Sequence, residues 1–378
     1  MVFIESHNII TSLGWNTSQN MEHILNEVGG IKLCNNLTLS DNTFPASVID
    51  DSILQEKLKT ITKFNEYTRL EQLIILSIDD SLKTSKIDIK DSRTLLILSS
   101  TKGNIDLLDE NNNSKFSADR LKLWKVAEII TNYYNMSSQA QIVSNACISG
   151  VASMLLAKRM IDAGSYDNAV VVGVDVLSKF VVSGFQSFKS LSGIACKPFD
   201  KDRDGLSLGE GVGSVILTNN KALISEQKIE IVNGSITNDA NHISGPSRTA
   251  EGLYIAIKNT LENDYKVDFI SAHGTATRYN DDMESVAISR AGLENVPVNS
   301  LKGYFGHTLG AAGVIETIIS IEALKRNMLI KTLGYEQFGV VEQITISDKT
   351  EPKQLKTLLK LASGFGGSNV AAYFKKHD

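Results

Sequence analysis

The 378-residue sequence contains few cysteines, few prolines and no long apolar run. Its three cysteines, Cys34, Cys147 and Cys196, are odd in number and far apart, and none forms a C-x-x-C pair. A disulfide framework and a cysteine zinc site are therefore both poorly supported. No stretch approaches the roughly 18 apolar residues of a membrane span, and the N-terminus lacks the features of a secretory signal. These absences predict a cytoplasmic protein without a membrane span.

An excess of charge of one sign is also lacking. The formal net charge is −5, and no basic stripe with interleaved aromatic residues is present. Nucleic acid is therefore an unfavoured partner, because phosphate binding needs clustered Lys and Arg. With 42% apolar residues and no Pro- or Ser-rich linker, the chain can form one large domain or two of ordinary size with a substantial core.

Strand-like and helix-like segments alternate along the chain, which favours an α/β fold with covered, largely buried sheets. The patch 109–115 is of low complexity and predicts a surface loop. Buried strands are predicted at 93–100, 168–176 and 211–218, one or two helices at 52–83, and a helix at 251–262.

Two segments of the chain share one plan. Residues 141–164 read as a short apolar strand, a small polar turn and an amphipathic helix, and residues 296–326 repeat that order. Each segment carries a reactive side chain near its helix start, Cys147 in the first and His307 in the second. Two halves built on one plan would bring these two helix starts together at a shared centre.

Cys147 lies in "VSNACISGV" (143–151), before a predicted helix at 147–163 that ends at Gly164. Unpaired N–H groups and the dipole at a helix N-terminus favour an anion, so the pKa of this thiol is expected to be lowered. Taken alone, the segment is equally compatible with an inert Cys buried in a tight turn, which is the commoner case.

His273 follows an apolar run in "FISAHGTATRYNDDMES", with Gly274 beside it and the hydroxyls of Thr275 and Thr277 after it. A His at a strand end next to Gly is placed where a ligand can approach the backbone. A structural His with satisfied hydrogen bonds remains the alternative.

His307 lies in "SLKGYFGHTLGAAGVIE", five residues after Lys302 and nine before Glu316. Glu316 can reach back only if this segment bends or begins as a loop, and a solvated loop charge is the alternative for Lys302. Near the C-terminus, "ASGFGGSNVAAYF" places Phe365 between glycines, where it is either part of a plain turn or a mobile gate.

These residues together suggest a Cys nucleophile with donors for thioester chemistry. A papain-like Cys–His–Asn protease is the rival, but it needs one activating His and offers no use for the second. The charged turn "PFDKDRDGLSLGEG" (198–211) reads locally as a hydrogen-bonded structural turn.

Five segments resemble, in the right order, the motifs of the β-ketoacyl-acyl-carrier-protein synthases, the elongating condensing enzymes of the thiolase superfamily. The resemblance covers most of the chain from about residue 140 to the end. The segments are "NACISG", the charged turn, "HGTATRYND", "KGYFGHTLGAAG" and "GFGGSN".

The resemblance implies a thiolase-like, duplicated αβαβα five-layered sandwich. One half, 1–221, would carry the nucleophilic Cys, and the other, 222–378, the two His, in one compact unit. It also implies decarboxylative Claisen condensation of an acyl chain on Cys147 with malonyl-acyl-carrier protein, in fatty-acid, polyene or polyketide-type elongation. Substrates arrive on the phosphopantetheine of acyl carrier protein, and no metal or cofactor is bound by the enzyme. A homodimer is expected, and a heterodimer with a second ketosynthase-like subunit is possible.

The residue roles follow from the same resemblance. Cys147 would take the acyl chain, His273 and His307 would serve decarboxylation and stabilise the enolate, and Lys302 would orient them with Glu316 as its partner. Thr275 and Thr277 match the hydroxyls that bind the phosphopantetheine arm. Phe365 matches the gating residue, and its N–H and that of Cys147 would form the oxyanion hole.

Three alternatives and one docking hypothesis accompany this interpretation. A non-catalytic partner subunit that shapes the acyl pocket usually lacks the nucleophile, whereas initiating synthases and thiolases need an Asn or a second reactive Cys. The short length and the unusual segments 101–125 and 181–197 suggest a specialised pathway, such as polyene pigments.

Acidic carrier proteins need a basic patch on the enzyme. The predicted helical stretch 52–83 offers Lys57, Lys59, Lys63 and Arg69, which can equally form a solvated helix face.

Overall fold

The structure is a computed structural model that describes residues 1–59, 61–109, 115–224, 227–261 and 265–377. Its strands, in chain order, are β1 (Val2–Ile10), β2 (Lys32–Cys34), β3 (Phe44–Ser47), β4 (Thr94–Ser99), β5 (Gln141–Val143), β6 (Asn168–Asp175), β7 (Leu208–Gly209), β8 (Gly211–Thr218), β9 (Ile229–Asn238), β10 (Phe269–Ser271), β11 (Val298–Asn299), β12 (Met328–Leu329), β13 (Glu351–Pro352), β14 (Thr357–Gly364) and β15 (Ser368–Lys376). Its helices are α1 (Thr17–Leu25), α2 (Asp51–Leu58), α3 (Arg69–Thr84), α4 (Leu123–Tyr133), α5 (Ser149–Asp162), α6 (Lys179–Ser187), α7 (Glu251–Thr260), α8 (Arg278–Arg290), α9 (Lys302–Phe305) and α10 (Ala312–Arg326).

Ten strands form the main sheet in the order β11-β10-β14-β15-β9-β1-β8-β6-β4-β5. Five of them precede residue 222 and five follow it, and each set repeats one pattern of pairings. In each set two parallel pairings are followed by two antiparallel ones, as in β5-β4-β6-β8-β1 and β11-β10-β14-β15-β9. In the described part of the chain, the two sets are joined by the short pairing of residues 2–4 with residues 229–231. The division into 1–221 and 222–378 stays a prediction, with which this repeated pattern agrees.

Helices cover both half sheets and fill the space between them. Helices α3 and α4 pack on the first half sheet, α7 and α8 cover the second, and α5 and α10 contact strands of both. The largest apolar cluster lies around α5 and α10, where the two half sheets face each other. This order gives the five layers of the predicted αβαβα sandwich.

The central helices approach closely because both carry glycine at their contact. A Cβ on Gly150 would lie 2.6 Å from the backbone N of Val314, and one on Gly313 would lie 2.5 Å from the N of Val151. Only glycine fits such a backbone contact. The shared strand–turn–helix plan is confirmed, because α5 follows β5 and α10 follows the equivalent strand β11.

The predicted buried strands at 93–100, 168–176 and 211–218 are β4, β6 and β8, and the segment 52–83 contains α2 and α3. The helix predicted at 251–262 is α7, which ends at Thr260, and residues 110–114 of the predicted loop lie outside the described residues. The helix predicted from residue 147 begins instead at Ser149 and ends, as predicted, near a left-handed Gly164 with φ of 72°. No helix in the described ranges is long and apolar enough to cross a bilayer.

Candidate active site

Cys147 occupies a tight turn between β5 and α5. The preceding Ala146 has a φ of 43°, a strained value for a residue with a Cβ. The Ser149 hydroxyl holds this turn, since it accepts from the N–H of Asn145 at 2.7 Å and donates to the Ala146 carbonyl at 2.6 Å. The hydroxyl of Ser368 donates to the Asn145 amide oxygen at 2.8 Å, which fixes the turn to the C-terminal strand β15.

The thiol of Cys147 lies 3.1 Å from Nε2 of His307. His307 follows the short helix α9 and Gly306, whose φ of 68° and ψ of −173° only glycine adopts readily. The backbone N–H of Leu309 donates to His307 Nδ1 at 3.2 Å. Because Nδ1 accepts, a neutral His307 carries its proton on Nε2 and presents an N–H donor toward the sulfur.

His273 stands at the end of β10, with its ring centroid 5.1 Å from that of His307 and the planes at 82°. The buried carboxylate of Glu284 on α8 accepts from the backbone N–H groups of His273 at 2.7 Å and Gly274 at 2.6 Å. The Lys302 ammonium lies 3.2 Å from His273 Nδ1 and also donates to the His273 carbonyl. A neutral His273 therefore also directs an Nε2–H into the site.

Lys302 and Glu316 form a fully buried ion pair, with Nζ 2.7 Å from Oε1. The chain bends through Gly306 and a short 3-10 helix at 309–311 before α10, and this bend brings Glu316 back to Lys302. A second ammonium, that of Lys360 on β14, lies 2.6 Å from the other carboxylate oxygen of Glu316. Sequence reasoning missed Lys360, although a lysine in the apolar run "TLLKLA" was a detectable signal.

Burial sets the protonation states of the central residues. Removal from water, followed by the positive charge of Lys302, lowers the pKa of both His273 and His307 well below 6.5. Burial raises the pKa of the Cys147 thiol to about 11, although part of its surface faces the cavity and Lys302 opposes the shift. The expected lowering of the thiol pKa by the helix N-terminus is therefore wrong, because desolvation outweighs the favourable charges.

Cys147, His273 and His307 have donor atoms within 4.8 Å of one another, a spacing that could hold a metal ion. Histidine ligands in metal sites usually donate their second N–H to a carboxylate or carbonyl. Here the Leu309 N–H points at Nδ1 of His307, and the Lys302 ammonium points at Nδ1 of His273. The Nε2 atom of each neutral histidine therefore keeps its proton and is a donor. The hydrogen bonds of this site thus fit an oxyanion better than a metal.

A cavity of about 510 Å³ leads to these three residues. The predicted Thr275 and Thr277 line it, and their hydroxyls lie 2.8 Å apart. Phe365 also lines it and packs on Phe185 and Phe188, with centroids 5.9 and 5.5 Å away.

The backbone around Phe365 approaches the nucleophile closely. A Cβ on Gly364 would lie 3.0 Å from the backbone N of Cys147, and Gly366 and Gly367 have φ of 82° and 75°. This approach brings the backbone that carries the Phe365 N–H beside the N–H of Cys147, as an oxyanion hole requires.

The predicted docking residues are not among the described residues that line this cavity. Lys57, Lys59 and Lys63 are exposed, and Lys63 pairs with Glu66 at 3.5 Å. Arg69 instead makes internal ion pairs, to Glu210 at 2.8 Å and to Asp51 at 2.9 Å. Its guanidinium is therefore committed to the fold, which argues against a docking role.

Side chains at the cavity mouth were not singled out from the sequence. Ile243 and Tyr279 are about three quarters exposed there, beside the cations Lys189 and Arg278. Arg278 and Tyr279 belong to the quoted segment "HGTATRYND", whereas no motif contains Lys189 or Ile243, and only the fold brings these three segments together.

Comparison with known proteins agrees with this arrangement. The N-terminal domain of the β-ketoacyl synthase family matches residues 55–222, and its C-terminal domain matches residues 229–336. The 3-oxoacyl-[acyl-carrier-protein] synthase 2 of Coxiella burnetii is 26% identical, with 97% of this chain and 96% of that protein aligned. The enzyme of the same name from Vibrio cholerae is 32% identical over 62% of this chain and 61% of its own length.

Solved structures share the whole fold. One chain of the complex between the ketosynthase ApeO and its chain length factor ApeC, from Xenorhabdus doucetiae, superposes with a TM-score of 0.86 at 23% identity, covering 100% of this chain and 98% of that chain. A type II PKS acyl-carrier protein in complex with its ketosynthase (AntDE:AntF) gives a TM-score of 0.84 at 20% identity over 99% of this chain and 98% of that chain. With both family domains matched and the fold shared along its full length, the chain belongs to the β-ketoacyl synthase family.

Proposed function

We propose that the protein catalyses decarboxylative Claisen condensation between an acyl chain carried on Cys147 and malonyl-acyl-carrier protein. The observation that carries the proposal is the meeting of the Cys147 thiol and two neutral histidine N–H donors at the end of one cavity. A nucleophile for one thioester and two donors for a second substrate are the requirements of this reaction.

The first step transfers the acyl group. The sulfur of Cys147 attacks the thioester carbonyl of an acyl chain on phosphopantetheine, and the carbonyl oxygen becomes an oxyanion held by backbone N–H groups of Cys147 and Phe365. The carbon–sulfur bond to phosphopantetheine breaks, and the thiol proton of Cys147 leaves with that sulfur. The high pKa of Cys147 fits a thiol that loses its proton only during the transfer.

The second step forms the carbon–carbon bond. Malonyl-phosphopantetheine loses CO2, and the resulting enolate oxygen accepts hydrogen bonds from Nε2–H of His273 and His307. The enolate carbon attacks the acyl carbonyl on Cys147, the carbon–sulfur bond breaks, and β-ketoacyl-carrier protein leaves. The released thiolate takes up one proton, and the step uses no metal or redox cofactor.

The proposed partners are an acyl carrier protein and a second subunit. The hydroxyls of Thr275 and Thr277, together with the exposed Ile243 and Tyr279, suit a phosphopantetheine arm that enters the cavity.

Strand β5 forms an edge of the main sheet and directly precedes the Cys147 turn, so a partner subunit there would support the site. We propose a homodimer, with a chain-length-factor heterodimer as the alternative; light scattering of the purified chain should give twice its monomer mass, and a stable monomer would favour the alternative.

The proposed product class is a polyene or polyketide-type chain. Acyl-carrier proteins with saturated and polyunsaturated chains of equal length can be compared as substrates. Preference for the unsaturated chains supports this class, whereas equal or better use of saturated chains contradicts it.

The central test is product formation. Acyl- and malonyl-carrier proteins are mixed with the enzyme, and β-ketoacyl-carrier protein is measured by mass spectrometry. Wild type should form it, Cys147→Ala should not, and Cys34→Ala, which changes a cysteine outside the cavity, should retain activity. Absence of product from wild type with every chain length would support a non-catalytic partner subunit.

A further inference from the structure

Lys360 is a fully buried lysine in the middle of β14. Its neighbours Leu359 and Leu361 face the outer apolar cluster, whereas Leu358 and Ala362 face the central layer between the half sheets. By the alternation of a strand, Lys360 also faces the central layer, where α10 carries Glu316. A buried ammonium persists only when it is paired and hydrogen-bonded, because its desolvation costs several kcal/mol.

The Lys360 ammonium satisfies that requirement at the back of the active site. Its Nζ lies 2.6 Å from Glu316 Oε2, 3.2 Å from the Ala272 carbonyl oxygen, and 3.4 Å from both the carbonyl and the hydroxyl of Ser271. Lys302 binds the other oxygen of Glu316 and the next carbonyl, that of His273. Two ammonium groups therefore hold three consecutive carbonyls at the end of β10.

The cluster carries an excess of positive charge. Burial lowers the pKa of Lys360 from its usual range, and the carboxylate of Glu316 opposes that shift. With both amines protonated and sharing the single carboxylate of Glu316, these three side chains sum to one positive charge beside His273 and His307. His307 and Cys147 also face His273, and Glu284 on α8 accepts from its backbone N–H. The pKa of Glu284 is raised to about 7 by burial and then by Asp281. Glu284 is thus a weak source of compensating negative charge below neutral pH.

We propose that Lys360 is a positioning residue, which fixes the end of β10 under His273 and supplies the positive charge that keeps both active-site imidazoles neutral donors. Lys302 alone, paired with Glu316, would leave this region without net charge. The positive charge of Lys360 also contributes, after burial and Lys302, to the lowered pKa of both histidines. The catalytic part of this inference rests on the proposed function, whereas its electrostatic part does not.

The test substitutes Lys360→Met, which keeps a long apolar side chain without the charge. The imidazoles are followed by NMR with ¹³C-labelled histidine as pH falls, and the signals are assigned from His273→Ala and His307→Ala. In Lys360→Met the pKa of both imidazoles should rise by about one pH unit or more. The acidic limb of malonyl-carrier protein decarboxylation should move up equally, so that kcat on that limb falls about tenfold, while kcat on the plateau near pH 8 and KM change less than about twofold.

Two comparisons separate positioning from stability. Lys376→Met removes an ammonium that does not line the active-site cavity and that donates to the Leu324 carbonyl, with Nζ 2.8 Å from the oxygen. This substitution should lower stability without moving the histidine pKa. Lys360→Met/Glu316→Gln restores the excess of one positive charge and should bring the histidine pKa back toward wild type.

The outcomes distinguish the inference from the function. Unchanged histidine pKa values and an unchanged pH profile in Lys360→Met, with stability loss alone as in Lys376→Met, would overturn the inference. A shifted histidine pKa in an enzyme that makes no product with any substrate would overturn the proposed function and leave the electrostatic part standing.

Discussion

At the scale of single residues, the nucleophile gains its role from its surroundings rather than from an acidic thiol. Burial raises the pKa of Cys147 to about 11, and His307 faces it as a neutral donor. This arrangement differs from a papain-like pair, in which thiolate and imidazolium coexist at neutral pH.

Alkylation kinetics test this difference. The rate at which iodoacetamide modifies Cys147 should rise about tenfold per pH unit between pH 7 and 9, because only the thiolate reacts. The modified residue is identified by peptide mass spectrometry, with Cys147→Ala as the blank. A rate that is already at its plateau at pH 7 would instead indicate a resting ion pair.

The two histidines should separate the half-reactions. His307→Ala removes an enolate donor and should lower malonyl-carrier protein decarboxylation by about 10²–10³-fold, the usual effect of one oxyanion donor. Acylation of Cys147, which relies on backbone donors, should continue. Decarboxylation at the wild-type rate in this variant would remove His307 from its proposed role.

Much of the site was predictable at this scale, and the reasons for the exceptions are physical. Cys147, His273, His307, Lys302 and Glu316 are brought together as the motif resemblance implied, and contact geometry supports their roles without testing them. The direction of the thiol pKa was not predictable, because it depends on how far the folded chain excludes water. The ion pair between Glu316 and Lys360 was not predictable either, because it joins helix α10 to strand β14, which are distant in sequence.

At the scale of elements, the contact between α5 and α10 fixes the distance between the nucleophile and His307. Cys147 lies two residues before α5 and His307 five residues before α10, so the helices that meet at Gly150 and Gly313 carry both residues. The sequence predicted this relation through its repeated strand–turn–helix plan. The start of α5 was predicted two residues too early, because the Ser149 hydroxyl binds the backbone of Asn145 and Ala146 and so keeps Cys147 in the turn.

Gly150→Ala should push these helices apart. The added methyl would lie 2.6 Å from the Val314 backbone, and such overpacking typically costs about 1–3 kcal/mol of unfolding free energy. The control is Gly184→Ala in α6, where a Cβ meets no atom within 4 Å and the helix should gain about 0.5–1 kcal/mol. Urea unfolding measures both, and equal effects of the two substitutions would contradict the close contact.

At the scale of the whole molecule, the proposed reaction requires this acidic chain to bind an acidic carrier protein. Of the predicted docking cations, Arg69 is paired with the buried Glu210, whereas Lys59 and Lys63 are exposed but do not line the cavity. Arg278 is exposed at the cavity mouth and was not among the docking cations predicted from the sequence. Charge at the mouth is better placed to steer a carrier protein than charge on side chains that do not line the cavity.

Charge reversal can rank these surfaces. Arg278→Glu should raise KM for carrier-bound substrate about threefold or more, while KM for a small pantetheine thioester stays within about twofold. Lys59→Glu/Lys63→Glu should have the smaller effect. A larger effect from the lysine pair would return docking to the surface that the sequence suggested.

The most direct measurement of the central claim is the mass of the intact protein after incubation with acyl-carrier protein alone. Wild type should gain the mass of one acyl group, and the gain should be absent in Cys147→Ala and retained in Cys34→Ala. The same gain in Cys147→Ala, or no gain in wild type at any chain length, would contradict Cys147 as the acyl-accepting nucleophile.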